Sequence, residues 1–229
     1  MSLSIQETPS KEPWSNKKSI VIAIISLIIG ISIFTLAYLG MNKNIGIGFI
    51  NEPIMEWVTS NRQSVITDVY KIITTTMSPK ILMATITLLA IIWAIIKREI
   101  WRPLLLMMST ALGVISSYAI KNLTSNQRPP QSNMITPFET DFSFPSNHTI
   151  GIVVFFLVIS YLLCSRKPEN SRIIFFSIIS TLAIVIVGSS RIYLGYHWTT
   201  DVIASLGLGF IVLAITILID KIMASRRTN

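Results

Sequence analysis

Residues 190–201 read SRIYLGYHWTTD and lie between two long apolar runs. The stretch brings an Arg, a His and an Asp together at the border of both runs. His197 and Asp201 are four positions apart, so on a helix they would share one face. Asp201 could then accept the proton of one ring nitrogen of His197, which sets the tautomer and leaves the other nitrogen free for chemistry. Arg191 adds a permanent positive charge suited to an oxyanion such as phosphate.

The two flanking runs belong to a set of six. Hydrophobic residues make up 51% of the 229 residues and charged residues 13%, with a mean hydropathy of +0.63. A soluble domain carries more charge, and about 20 apolar residues in a helix cross a hydrocarbon core of roughly 30 Å. The composition predicts an all-α, polytopic membrane protein whose six transmembrane helices lie at residues 19–39, 80–96, 103–120, 148–164, 173–188 and 202–219.

The segment between the first two spans, residues 40–79, predicts amphipathic helices at the membrane interface. Asn51 and Pro53 are typical of a helix start, and apolar residues recur at helical spacing from Val65 to Ile73. The segment is interpreted as a membrane-surface connector or as a gate through which a lipid substrate enters sideways.

The distribution of basic residues predicts the orientation in the membrane. The net charge is +8, and the cations cluster in short connections as topology signals do, so no nucleic-acid partner is expected. Twelve Lys and Arg residues lie in the two tails and two loops, against seven in the other three connections. We therefore expect residues 1–18 to form a cytoplasmic tail and residues 19–229 a membrane domain with a cytoplasmic C-terminus. The single cysteine, Cys164, excludes an intramolecular disulfide.

Two further polar clusters fall on the same predicted outer face: residues 121–129 (KNLTSNQRP) and residues 144–148 (FPSNH), which contain the second histidine, His148. Three permanent cations and two histidines suit a phosphate monoester or a pyrophosphate, because the cations stabilise charge on the phosphate oxygens. One histidine can attack phosphorus and the other can protonate the leaving oxygen. No metal or other cofactor is expected, since Lys and Arg supply the positive charge.

These three stretches resemble the type 2 phosphatidic acid phosphatase family of integral membrane lipid phosphatases. The family motifs are Lys-x6-Arg-Pro, Pro-Ser-Gly-His and Ser-Arg-x5-His-x3-Asp. They correspond to Lys121…Arg128-Pro129, Pro145-Ser146-Asn147-His148 and Ser190-Arg191…His197…Asp201. The first and third motifs match fully, whereas Asn147 stands where the family usually has Gly.

The resemblance implies a role for each of these residues. His197 would be the nucleophile, Asp201 its orienting partner, and His148 the general acid that afterwards activates water. Lys121, Arg128 and Arg191 would bind phosphate, and Ser146 and Ser190 would add hydrogen bonds.

Position 147 is where the second motif differs from the family pattern, and the difference bears on how the backbone there would bind phosphate. Glycine permits a positive φ and close backbone approach to phosphate, and asparagine best tolerates the same conformation among the other residues. The backbone N–H at the start of the fourth span would then remain an anion donor. The Asn147 side chain could instead narrow the pocket or contact the substrate. Glu139 and Asp141, in the preceding loop, are interpreted as solvated acids.

The implied function is dephosphorylation of undecaprenyl pyrophosphate, phosphatidylglycerol phosphate or phosphatidic acid through a phosphohistidine. The reaction would take place at the extracytoplasmic face of a bacterial plasma membrane. Two alternatives remain open: a phosphotransferase with an acceptor other than water, and a non-catalytic carrier of lipid phosphates. The expected partners are the lipid substrate and the bilayer, and the oligomeric state is left open.

Overall fold

The computed structural model describes residues 14–43 and 46–226, and every regular element in these residues is helical. In chain order the α-helices are α1 (Asn16–Lys43), α2 (Asn51–Ser60), α3 (Ser64–Thr76), α4 (Pro79–Lys97), α5 (Trp101–Thr124), α6 (Asn147–Cys164), α7 (Asn170–Tyr193) and α8 (Thr199–Arg226). Two short 3₁₀ helices, Gly46–Ile50 and Gln131–Asn133, precede α2 and follow α5.

Six of these helices, α1 and α4 to α8, are long and apolar enough to cross a membrane. The predicted fold class is therefore confirmed, and the chain is an integral membrane protein. The sequence placed several helix ends too early. Because backbone hydrogen bonding continues through polar residues at the membrane border, α5 extends to Thr124 and α7 to Tyr193. Most of the tail predicted for residues 1–18 lies outside the described residues, and its last three residues already belong to α1.

The centre of the bundle is formed by α6 and α8. Inside the protein, 61% of the apolar stretch of α6 and 56% of that of α8 are buried, against 17–22% for α1, α4 and α7. The helix α6 is apolar on all sides, as expected for a helix surrounded by others, and it packs against α5, α7 and α8. Large side chains on the outer helices, such as Ile28, Ile95 and Phe175, are exposed in the way that lipid-facing residues are.

The predicted amphipathic helices are α2 and α3, which lie between the first two spans. Val65 and Ile72 of α3 are exposed, whereas Thr74 on its other face is buried. Asn51 joins the start of α2 to the start of α8, because its side-chain amide donates to the Thr200 hydroxyl and accepts from the Thr200 backbone N–H, both at 3.1 Å.

A buried polar network ties the helices together at the end of the bundle where α6 finishes. Asp220 of α8 accepts a hydrogen bond from the Tyr161 hydroxyl at 2.8 Å and lies 3.7 Å from the Arg102 guanidinium. Arg102 also donates to the Leu162 carbonyl oxygen and, at 3.3 Å, to the Ser165 hydroxyl. The pairing offsets the cost of burying these charges.

The packing of α1 against α8 depends on two glycines. A Cβ atom on Gly207 would lie 2.5 Å from the Phe34 backbone nitrogen and 2.8 Å from the Gly30 carbonyl oxygen. Contacts this short require the helix axes to separate, since backbone atoms cannot rotate away.

We therefore expect Gly207→Ala to destabilise the protein by about 1–3 kcal/mol, as overpacking does in protein cores. Thermal unfolding of the detergent-solubilised protein measures the effect. Ile222→Ala, on an exposed part of the same helix, is the matched control and should change the transition little. An unchanged transition for Gly207→Ala would contradict the close packing of α1 and α8.

Candidate active site

The three polar clusters meet at one end of the bundle, where two helices finish and two others begin. Lys121 lies in the last turn of α5 and Arg191 in the last turn of α7. His148 lies in the first turn of α6 and Asp201 in the first turn of α8. Residues far apart in the chain are thus brought together by the antiparallel arrangement of the helices.

His197 and Asp201 are in contact as the spacing predicted, although not on one helix. His197 precedes α8, and its Nδ1 lies 3.1 Å from Asp201 Oδ2. The chain turns at this point, since the N–H groups of Tyr196 and His197 both donate to the Arg191 carbonyl oxygen. The assumption of a shared helical face was wrong, because the turn itself brings the two side chains together. Both side chains are almost completely buried.

The hydrogen bonds around His197 identify its tautomer. Arg128 Nη1 lies 3.2 Å from His197 Nε2. Since a guanidinium can only donate, Nε2 must accept and therefore carries no proton. The proton is on Nδ1 and is donated to Asp201. This arrangement leaves a lone pair on Nε2, on the side of the ring that faces the cations.

The electrostatic surroundings keep His197 neutral. Burial, followed by the positive charges of Arg128, Arg191 and Lys121, holds the pKa of the His197 imidazole well below its usual range. A neutral imidazole is the form that can act as a nucleophile or a base.

Asp201 is held in place by groups that the sequence analysis missed. Its Oδ2 accepts a hydrogen bond of 2.9 Å from the Trp198 backbone N–H, and its Oδ1 lies 3.5 Å from the Ser143 hydroxyl. Ser143 is buried, and its single hydroxyl proton has two possible acceptors, Asp201 Oδ1 and the closer Gln127 carbonyl oxygen at 3.1 Å. No sequence signal distinguishes Ser143 from the other serines of its loop.

The three cations Lys121, Arg128 and Arg191, here called the cation cradle, are paired with two loop acids. Arg128 lies 2.8 Å from Glu139 and 2.5 Å from Asp141. Lys121 lies 3.1 Å from Asp141, and Arg191 forms an ion pair with Glu139. The interpretation as a solvated acid was wrong for Glu139, which is only partly exposed and bridges two cations. The Asp141 side chain is 53% exposed and remains solvated while it pairs with Lys121 and Arg128.

The ion pairs of Asp141 with the cradle change the pKa of its carboxyl group. Burial raises the pKa of its carboxyl group, but the charges of Lys121 and Arg128 outweigh burial and lower that pKa below its ordinary value. Asp141 therefore stays ionised to a lower pH than an ordinary aspartate side chain.

Arg191 is held by contacts that join α7 to α3 and to the turn before α8. Its guanidinium donates to the Thr74 hydroxyl at 2.6 Å and lies over the Tyr196 ring, 4.5 Å from the ring centre. The Arg191 Nε atom is buried and has no hydrogen-bond partner among the described residues. A buried donor of this kind is available for an anion.

Two cavities, of about 320 and 360 Å³, open beside the cradle. Ser78, Glu139 and His148 line both of them, so the two cavities adjoin and are here called the cleft. His197 lines the smaller cavity. Both histidines therefore face the same space, as the candidate site required.

Asn147 differs from the expectation for this position. It is the first residue of α6, and among the described residues only Arg98 and Ser125 are non-glycine residues with positive φ. A helical conformation suits any residue, so a glycine is not needed here. The Asn147 side chain lines the smaller cavity and accepts a hydrogen bond of 2.6 Å from the Ser117 hydroxyl.

The two serines predicted to bind phosphate have other partners. The Ser146 hydroxyl caps α6 by accepting from the Thr149 backbone N–H at 3.4 Å. The Ser190 hydroxyl donates to the Val187 carbonyl oxygen of its own helix at 2.7 Å. The structure thus does not bring these hydroxyls into the cleft, because backbone groups at the helix ends satisfy them first.

In the part of the chain that the structure describes, no three His, Cys, Asp or Glu side chains form a group that could hold a metal ion. Glu139 and Asp141 instead contact Lys and Arg.

Comparison with known proteins indicates the same protein family as the three sequence motifs. Residues 102–222 match the PAP2 superfamily. Phosphatidylglycerophosphatase B of Bacillus subtilis is 30% identical over 117 residues, which are 50% of this chain and 56% of that protein. An undecaprenyl-diphosphatase of Sulfolobus acidocaldarius is 33% identical over 98 residues, 43% of each chain. The chain thus matches about half the length of these curated relatives.

Solved structures share the fold. A transmembrane PAP2-type phosphatidylglycerolphosphate phosphatase from Bacillus subtilis superposes with a TM-score of 0.74 at 24% identity, over 84% of this chain and 96% of that one. Aquifex aeolicus LpxE gives a TM-score of 0.54 at 22% identity, over 74% of this chain and 94% of that one.

The geometry predicts that His197 stays neutral at pH 6, where an ordinary histidine with a pKa near 6.5 is mostly protonated. ¹⁵N NMR of the histidine-labelled protein should show one protonated and one unprotonated ring nitrogen for His197. The chain has two histidines, so His148→Gln leaves a single set of signals and provides the assignment. A signal from imidazolium at pH 6 would contradict the tautomer deduced from Arg128.

Proposed function

The chain belongs to the PAP2 superfamily, and from this premise we propose that it is a membrane phosphatase that removes phosphate from a lipid phosphate or diphosphate. The observation that carries the proposal is the neutral, Asp201-oriented His197, whose unprotonated Nε2 faces the cation cradle. The names of the relatives, a phosphatidylglycerophosphatase and an undecaprenyl-diphosphatase, support a lipid phosphate as the substrate.

In the proposed reaction His197 Nε2 attacks phosphorus and forms a P–N bond as the bond from phosphorus to the leaving oxygen breaks. His148, on the same cleft, donates a proton to that oxygen. Asp201 stabilises the positive charge that develops on the His197 ring. A water molecule, activated by the now neutral His148, then attacks phosphorus, and the P–N bond breaks. Inorganic phosphate leaves and both histidines regain their starting protonation states.

The cradle would bind the phosphate oxygens and stabilise the charge that builds up on them in the transition state. Glu139 supports this assignment, because its carboxylate bridges Arg128 and Arg191 and lies 4.0 Å from His197 Nε2. It therefore occupies the position where a phosphoryl group would have to lie. Substrate binding would displace this carboxylate, and the buried Arg191 Nε would gain a partner.

The rest of the substrate would contact the ends of α3 and α4. Lys71 and Thr74 line the larger cavity, and Lys80 lines the smaller one. These two lysines place further positive charge beside the phosphate position, which suits an anionic headgroup or a second phosphate.

The orientation in the membrane is also part of the proposal. The excess of Lys and Arg in the tails and in the loops opposite the histidines supports an extracytoplasmic site with both termini in the cytoplasm. On the same grounds we propose that residues 1–18, the last three of which begin α1, lie on the cytoplasmic side and that residues 19–229 form the membrane domain.

The proposal is tested by phosphate release from the detergent-solubilised protein in the presence of a chelator. The substrates are undecaprenyl pyrophosphate, phosphatidylglycerol phosphate and phosphatidic acid. We expect release from at least one of them, and a decrease by a factor of at least about 10³ in His197→Ala, because the nucleophile is lost.

Asn122→Ala is the matched control for this assay, since Asn122 is exposed beside Lys121 and lines neither cavity. Its rate should equal that of the wild type. Release that persists in His197→Ala would place the chemistry elsewhere. Transfer of phosphate to an added alcohol, with no free phosphate, would indicate a phosphotransferase, and binding without turnover would indicate a carrier.

If the substrate displaces Glu139, the charge of this carboxylate competes with any phosphate analogue for the cradle. Glu139→Gln removes the negative charge that competes for Arg128 and Arg191, so we expect vanadate, a phosphate analogue, to bind about tenfold more tightly. Inhibition of phosphate release measures the change. Glu169→Gln, an exposed acid just before α7 that lines neither cavity of the cleft, should leave vanadate binding unaltered. Weaker binding in Glu139→Gln would mean that Glu139 serves to hold the arginines in place.

A further inference from the structure

A third cavity lies at the end of the bundle opposite the two histidines. Its volume is about 420 Å³, and it is formed by the end of α4, the end of α6 and the start of α7. Leu162 of α6 lines it, and His148 opens the same helix. At about 1.5 Å per residue the two positions are separated by roughly 21 Å along α6. The cavity is therefore distinct from the cleft described above.

Positive charge surrounds this cavity. Four basic side chains line it: Lys97, Arg166, Lys167 and Arg172. Arg166 is paired with Glu99 through hydrogen bonds of 2.8 and 2.5 Å. The other three form no ion pair with any residue in the described ranges 14–43 and 46–226. Three cations around one concavity repel one another, so the cavity has a net attraction for an anion.

The remaining lining of the cavity is apolar. Its apolar lining residues are Trp93, Ile96, Leu162 and Leu163. The exposed side chains Ile92 and Ile95 lie on the adjoining part of α4. A wall of this kind at the end of a membrane span lies beside lipid tails rather than water. The cavity thus combines an apolar wall with a cationic rim, which match the apolar chain and the anionic headgroup of an amphiphilic molecule.

We propose that this cavity binds an anionic phospholipid through its phosphodiester headgroup. The cationic rim would contact the phosphate, while an acyl chain would lie along the apolar wall between α4 and α7. Basic pockets between transmembrane helices bind anionic headgroups in this way. A basic residue that only determines topology needs no concave, partly apolar surface beside it. The proposal concerns a bound lipid at the end of the bundle away from the cradle, and it holds whatever the activity of the histidine site.

Native mass spectrometry of the detergent-solubilised protein tests the proposal. The protein is titrated with phosphatidylserine, which has no phosphomonoester, and in parallel with zwitterionic phosphatidylcholine. We expect the wild type to retain one phosphatidylserine molecule at concentrations at which phosphatidylcholine does not bind. The double variant Lys167→Gln/Arg172→Gln should bind phosphatidylserine at least about tenfold more weakly, because each basic residue near the headgroup adds to the attraction.

Lys17→Gln is the matched control, because Lys17 is an exposed cation near the start of α1. This end of α1 lies at the same end of the bundle, where the backbone N–H of Trp14 donates to the Ser165 carbonyl oxygen. Lys17→Gln and His197→Ala should both bind phosphatidylserine as the wild type does.

Three outcomes would overturn the proposal. Equal retention of phosphatidylcholine would show that charge does not select the lipid. An equal loss in Lys17→Gln would show that only the general surface charge matters. Displacement of the lipid by inorganic phosphate at the same concentration would indicate a site for a free anion, since phosphate has no acyl chain to occupy the apolar wall.

Discussion

The structure depends on the pairing of charges at the border of an apolar bundle. Arg191 is 1% exposed, Lys121 3% and Asp201 0%, although each lies within one turn of a helix end. A charge in such a place is costly unless opposite charges or hydrogen bonds surround it. The loop between α5 and α6 meets this requirement, because Glu139 and Asp141 supply the carboxylates. The course of this loop, and with it the shape of the cleft, follows from the need to compensate buried cations.

The same constraint prepares the site for an anion. The cradle is already assembled around Glu139, so its side chains would need little rearrangement for the proposed replacement of that carboxylate by a phosphate. His197 is positioned by the same set of contacts, since Arg128 directs its Nε2 and Asp201 holds its Nδ1. The groups that stabilise the fold at this end are therefore the groups that would act on the substrate.

The basic side chains at the two ends of the bundle differ in burial and in ion pairing. At the end with the histidines the cations are buried and paired. At the other end Lys97, Lys167 and Arg172 surround a cavity and form no ion pair with an acid of residues 14–43 or 46–226. Between these ends, α6 and α8 form the buried, largely apolar centre of the bundle. The buried network of Arg102, Asp220 and Tyr161 holds that core together near the third cavity.

The sequence by itself determined the six spans and the interfacial helices, and its motifs indicated His148, His197, Asp201 and the cradle as the candidate site. Apolar length and motif spacing are local properties, so a single chain displays them. It did not indicate the roles of Glu139 and Ser143, which lie in an irregular loop without periodicity. It also assigned Ser146 and Ser190 to phosphate, although nearby backbone groups bind both hydroxyls. Only the tertiary structure decided these partners, because each depends on which groups from distant parts of the chain reach the same buried space.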